Sequence, residues 1–243
     1  MMKLEICCYS IDDVILAFNN GADRIEFCSG RSDGGLTPSY GDLLQLSQLN
    51  LPIPIHPIIR PRGGDFLYNQ CEINTMLMDI VLVRNLNYSG IVFGCLQANG
   101  HIDIKNIEKL LHAAQGLSVT FHRAFDVCHD PILALKQLNE FGVNRLLTSG
   151  QQQDATKGIK LIEQLHKLTQ STLIMPGCGV RSSNIENFKA IGITEFHSSA
   201  SLSYPSPMQY QNHNVTMSHN KNDEFLRYGI DPNEIQTMKA LLN

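Results

Sequence analysis

The chain has 243 residues, 43% of them hydrophobic, enough for a sizeable core in one barrel-sized domain or two small ones. The formal charge is −4 and no basic stripe is visible, which argues against a nucleic-acid partner. No run of about 18 apolar residues occurs, which argues against a membrane-spanning helix.

The opening residues, MMKLEICCYS, read as a strand. Their apolar stretch is too short for a signal peptide and is broken by Glu5, so the expected location is cytoplasmic. The seven cysteines are Cys7, Cys8, Cys28, Cys71, Cys95, Cys128 and Cys178. An odd number without a CxxC pair argues against a disulfide framework, a structural zinc knuckle and a thioredoxin-type site. The default reading of each is a reduced, buried, small side chain.

In chain order, short apolar runs alternate with amphipathic segments. The runs are KLEICC, DRIEFC, IPIHPII, GIVFGCL, SVTFHRA, NRLLTSG, TLIMPG and TEFHSS, starting near residues 3, 23, 53, 90, 118, 144, 172 and 194. Each is too short for a helix and rich in strand-forming residues. The segments between them are IDDVILAFNNG, TPSYGDLLQLSQL, INTMLMDIVLVRNLN, IKNIEKLLHAAQG, DPILALKQLNEFG, ATKGIKLIEQLHKL and SSNIENFKAIG. Asp130–Pro131 and Ser183–Asn184 fit helix starts, and Gly142 and Gly192 fit helix stops.

Eight strands with seven intervening helices imply a parallel α/β sheet, and eight βα units favour closure into a single (β/α)₈ TIM barrel. The alternative is an open doubly wound sheet. The expected organisation is one domain over 1–243, with the barrel at about 3–200. A Ser/Asn-rich loop or arm then runs from Ser201 to Asn222, and a short helix, PNEIQTMKALL, ends the chain.

Barrel chemistry sits at the C-terminal ends of the strands, and strand side chains alternate between barrel interior and helix side. On that parity Glu5, Cys7 and Tyr9 share a face, as do Glu26 and Cys28, so Cys7 and Cys28 fall on neighbouring strands. The third strand offers His56, Ile58 and Arg60, then the loop PRGGD with Arg62. The fifth offers Thr120 and His122, with Arg123 next in line, and the eighth Glu195, His197 and Ser199. Ionisable groups converging on one end must offset one another's desolvation, which marks a functional pocket more than a packed core.

The last three strands end in glycine- and serine-rich turns: TSG with Ser149, PGCGV with Gly177 and Gly179, and HSSAS with Ser198 and Ser199. Backbone N–H groups there suit an anion such as phosphate. None of the ten lysines falls near a predicted strand end, which disfavours a Schiff-base aldolase. Neither a Ser–His–Asp signature nor a Walker loop is present.

The segments LEICCYS, NGADRIEFC, GGLTPS, IHPIIRPRGGDF, VTFHRAFD, LLTSG, GCGVR, EFHSSA and SPM follow in order from residue 4 to residue 208. Together they resemble the CutC copper homeostasis family over nearly the whole chain. The resemblance implies a cytoplasmic barrel, often a homodimer, linked by name to copper tolerance. It implies copper(I) binding by cysteines of the first strands, here Cys7 or Cys8, and Cys28. Cys178, between Gly177 and Gly179, departs from the small residue expected there.

Two readings of the mouth follow. In one, Cys7 and Cys28 bind copper(I), since soft thiolates select that ion. In the other, the barrel is an enzyme of lyase or isomerase type acting on a small anionic or phosphorylated metabolite. Glu5 or Glu26 is then the base and His122 or His197 the acid, while Arg60, Arg62 and Arg123 hold the anion with Ser149, Gly177, Gly179, Ser198 and Ser199. A barrel without chemistry, serving as a scaffold, is the remaining alternative.

Overall fold

The computed structural model describes residues 2–217 and 224–243. Eight strands appear in the order the apolar runs predict: β1 (Lys3–Cys8), β2 (Arg24–Phe27), β3 (Ile55–Pro57), β4 (Gly90–Phe93), β5 (Ser118–Phe121), β6 (Arg145–Thr148), β7 (Leu173–Pro176) and β8 (Glu195–Ser198). Between them lie α1 (Ile11–Asn19), α2 (Tyr40–Gln48), α3 (Gln70–Asn85), α4 (Ile104–Ala113), α5 (Pro131–Glu140), α6 (Ile159–Leu168) and α7 (Ile185–Ala190).

The strands pair in parallel as two arcs, β3-β2-β1-β8 and β4-β5-β6-β7. One seam is stitched by the bridge between Ile58 and Val92, where Ile59 N donates to Val92 O at 2.7 Å. At the other, β7 and β8 lie side by side without a hydrogen-bonded ladder. The arrangement is TIM-barrel-like, with strand ends gathered at a common mouth.

Alternation sorts the side chains. Leu4, Ile6, Ile25, Phe27, Phe93, Phe121, Leu146, Ile174 and Phe196 are buried in the shell against the helices. Helix starts are capped: Ser10, Ser39, Asp130 and Asn69 each accept a backbone N–H of the first turn, and Asn69 forms a capping box with Glu72. Gly142 and Gly192, at φ +69° and +91°, supply the left-handed stops that the sequence suggests. Asn184 stands before α7, yet its side chain accepts from Arg181 N and donates to Gly179 O instead of capping the helix.

The arm departs from the loop expected at 201–222. Ser201–Pro205 (β9) and Leu226–Ile230 (β10) form an antiparallel hairpin, while residues 218–222 of that expectation lie outside the described residues. The composition hides it, because SLSYP places serines between its apolar residues. The last helix, α8 (Pro232–Leu242), packs on α1 and β1, and Lys239 Nζ is clamped by Asp23 at 2.6 and 2.7 Å.

The barrel interior is tight where a glycine faces it. A Cβ on Gly90 would stand 2.5 Å from both His56 Nε2 and Ser118 O. Gly90→Ala should therefore destabilise the protein by about 1–3 kcal/mol through overpacking, read from urea unfolding. A neutral result would mean that His56 does not lie across β4.

Candidate functional site at the barrel mouth

Three strands open with a charged residue turned into the barrel: Arg24, Arg145 and Glu195. They form its floor. Glu195 Oε2 accepts from Arg24 Nη2 and Arg145 Nε, each at 2.7 Å, and Arg145 Nη1 donates to Ser118 Oγ at 2.7 Å. Arg24 Nε donates in turn to Glu5, whose other oxygen is 2.7 Å from His197 Nδ1. His197 Nε2 lies 3.6 Å from Glu26 Oε2. A chain of ions thus climbs from the floor to the mouth, and all but Arg145 are more than nine-tenths buried.

Above it opens a cavity of about 410 Å³, within the range of small-molecule sites. Cys7, Tyr9, Glu26, Ile58, Arg60, His122, Arg123, Gly179, His197 and Ser199 line it, so the structure brings most of the predicted residues together. Cys7 Sγ and Cys28 Sγ are 3.8 Å apart, and one ligand atom each of Cys7, Glu26 and Cys28 fall within 4.8 Å of one another.

Protonation differs sharply around the cavity. Burial alone would raise Glu5, but the Arg24 charge and the His197 contact hold it far below the carboxylate range. Burial, with the Cys7 charge, pushes Glu26 well up. The hydrogen bond from Cys28 draws the Cys7 thiol down, while burial raises Cys28. His197 is raised despite its burial, because Cys7, Glu26 and Glu5 favour its cation. His122 and His56 are pushed the other way, each to about 3, first by burial and then, for His122, by the Arg60 charge.

Other predicted residues sit elsewhere. Arg62 turns away from the cavity onto Glu72 at 2.6 Å and Asp65 at 2.9 Å. Ser198 faces the helix side and donates to Val180 O at 2.7 Å. Gly177 packs beneath the cavity, where a Cβ would stand 2.4 Å from Leu147. Ser149 is committed to Asp126: its N–H and Oγ both donate to that carboxylate, as do Thr148 Oγ1 and Gln151 N–H. Arg123 meets the same carboxylate at 2.7 Å. The donors expected to cradle an anion at the end of β6 are thus taken by an internal one.

Sequence reasoning missed Arg24, Arg145, Asp126 and Phe66. The signal for Arg24 was present, since it shares parity with Glu26 and Cys28. Asp126 lies in a 3₁₀ turn (Arg123–Val127) that no periodicity announces.

Comparison with known proteins gives a consistent picture. The CutC family model matches residues 2–202. A CutC family protein of Photorhabdus laumondii is 48% identical over 100% of this chain and 98% of its own length. The crystal structure of a copper homeostasis protein CutC from Streptococcus agalactiae superposes with a TM-score of 0.78 at 34% identity, covering 82% of this chain and 99% of that one. The 3-hexulose-6-phosphate synthase of Salmonella typhimurium matches at a TM-score of 0.61 and 14% identity over 100% of both chains, a likeness of fold alone.

Two stability measurements probe the site. Arg24→Met removes the guanidinium shared by two buried carboxylates, leaving Glu5 with His197 and Glu195 with Arg145, and should cost about 3–5 kcal/mol by urea unfolding at neutral pH. A loss below about 1 kcal/mol would remove the ion chain from its structural role. His56 and His122 stay neutral in the folded state down to about pH 3, whereas an unfolded histidine takes its proton near pH 6.5. Their contribution is therefore complete above about pH 6.5 and is lost as pH falls toward 3. Relative to wild type, His122→Phe should reduce the stability lost between pH 6.5 and 4.5 by about 2 kcal/mol. Parallel pH profiles would contradict this.

Proposed function

The chain belongs to the CutC family, and from that premise we propose that it binds one copper(I) ion between Cys7 and Cys28 at the barrel mouth. The observation that carries this reading is the 3.8 Å separation of the two Sγ atoms on adjacent strands. Two thiolates held at about 2.3 Å from one tetrahedral ion stand at nearly that distance from each other. Soft thiolates select copper(I), whereas Glu26, close by, is a hard donor. Copper homeostasis is the role named for the Streptococcus agalactiae relative, and the thiol pair supports extending it to this chain.

All seven cysteines are free, which suits a reducing compartment, and the cytoplasm is the proposed location. No helix among the described residues is long and apolar enough to cross a membrane. A homodimer is the proposed assembly, favoured by the exposed Leu202, Tyr204, Met208 and Tyr210 on the arm.

One observation favours a second reading, acid–base chemistry of lyase or isomerase type on a small anionic metabolite. His197 stands between Glu5 and Glu26, and the two carboxyl groups are pushed in opposite directions, the pattern that separates an acid from a base.

Competition with a copper(I) chelator tests the first reading. Wild type should bind one equivalent, and Cys7→Ser or Cys28→Ser should weaken binding by at least about 100-fold. Weak binding unchanged in both variants would overturn it. Turnover found in a metabolite screen of metal-free protein, and lost in Glu26→Gln, would favour the second.

A further inference from the structure

The wall facing the thiols carries an unmatched charge. Arg60 is 5% exposed, yet no carboxylate lies within 4 Å of its guanidinium among the described residues. Arg24 and Arg145 are met by Glu5 and Glu195, and Arg123 by Asp126. Arg60 instead spends Nη1 on the carbonyls of Asp33 and Gly35 and Nη2 on that of Gly64. Its Nε–H is buried and has no hydrogen-bond partner among the described residues. A buried guanidinium without a counter-ion is costly unless an anion joins it.

His122 supplies a second open donor. Its Nδ1 accepts the N–H of Ala124 at 3.1 Å, so the ring proton sits on Nε2. That Nε2 is also buried and without a partner among the described residues. Both side chains line the same cavity, and both pack on Phe66, whose ring centroid is 5.0 Å from the Arg60 guanidinium carbon and 4.9 Å from the His122 ring. Phe66 is only half-buried, whereas Arg60 and His122 are buried.

We propose that Arg60 Nε–H and His122 Nε2–H together receive the carboxylate of a small organic acid, admitted as Phe66 turns outward. The remainder of the acid extends across the cavity toward Cys7. A carboxylate fits better than a phosphate on two grounds. Two N–H groups are open here, one for each carboxylate oxygen, and the unpaired Tyr68 hydroxyl beside Arg60 is a third donor, whereas phosphate sites gather several backbone donors. The N–H groups that could have formed such a cradle, those of Ser149 and Gln151, already serve Asp126. The imidazole stays neutral and donates, so the acid brings the one negative charge that Arg60 lacks.

The test uses metal-free wild-type protein, so it does not depend on copper. Acetate, lactate and pyruvate are titrated by calorimetry while the ¹⁵N resonance of His122 Nε2 is followed. Methyl pyruvate serves as the uncharged control and inorganic phosphate as the rival anion. The expected result is saturable one-to-one binding of at least one acid that moves the His122 resonance, with methyl pyruvate silent. Arg60→Gln and His122→Phe should each weaken that binding roughly 10- to 100-fold, as for loss of a hydrogen bond to a charged group. No acid moving the resonance, phosphate binding at least as tightly as the acids, or unchanged affinity in both variants would overturn the proposal. Should Arg60→Gln fail to fold, the wild-type resonance decides alone.

Discussion

The chain of ions from Glu195 through Arg24 and Glu5 to His197 is the constraint on which the rest of the mouth depends. Four charged groups are taken out of water inside the barrel, and each is tolerated only because its neighbours satisfy it. Arg24 does most of this, since it reaches both carboxylates from the first residue of β2. The consequence runs upward. Glu5 is locked as a carboxylate, so it holds the Nδ1–H of His197 and fixes that ring's orientation. His197 then presents Nε2 toward Glu26 and Cys7. The chemistry available at the thiols is thus set by a contact at the floor.

Much of this architecture was legible in the sequence, and the reason is period two. Strands buried on both faces read as continuous apolar runs, yet polar residues at alternate positions still betray the interior face. That logic places Glu5, Cys7, Glu26, Cys28, Arg60, His122 and His197 correctly on the inward side. It fails where partners are far apart in sequence. Arg24 and Glu195 are 171 residues apart, and nothing local in DRIEFC says that its arginine spans to β8. It fails again in loops, where parity has no meaning. Arg62 follows Arg60 by two residues, yet the chain has left the strand and its side chain braces the start of α3 through Glu72. Ser149 has the turn chemistry of an anion cradle, but Asp126 from the preceding unit occupies it.

The two walls of the cavity illustrate how surroundings divide one residue type into two roles. His197 is ringed by carboxylates and a thiol and is raised. His122 is lowered to about 3, chiefly by burial and then by the positive charges of Arg60 and Arg123. The thiol wall therefore holds charge already balanced within the protein. The Arg60 wall does not, and this imbalance gives the cavity a direction: an anionic group has reason to sit on one side only.

Glycines decide where these histidines can stand. A Cβ on Gly94 would lie 2.6 Å from His122 Nδ1, one on Gly90 2.5 Å from His56 Nε2, and one on Gly177 3.2 Å from His197 Cδ2. Each interior histidine thus lies across a glycine of another strand: β3 over β4, β5 over the end of β4, and β8 over the end of β7. The last pairing crosses the seam that no backbone ladder closes, so His197 packing on Gly177 helps to hold β8 beside β7. The sequence suggests Gly177 in PGCGV as an anion donor, but its missing side chain matters more than its N–H. It makes room for the ring that the ion chain positions, and so the packing at the seam and the electrostatics of the floor act on the same histidine.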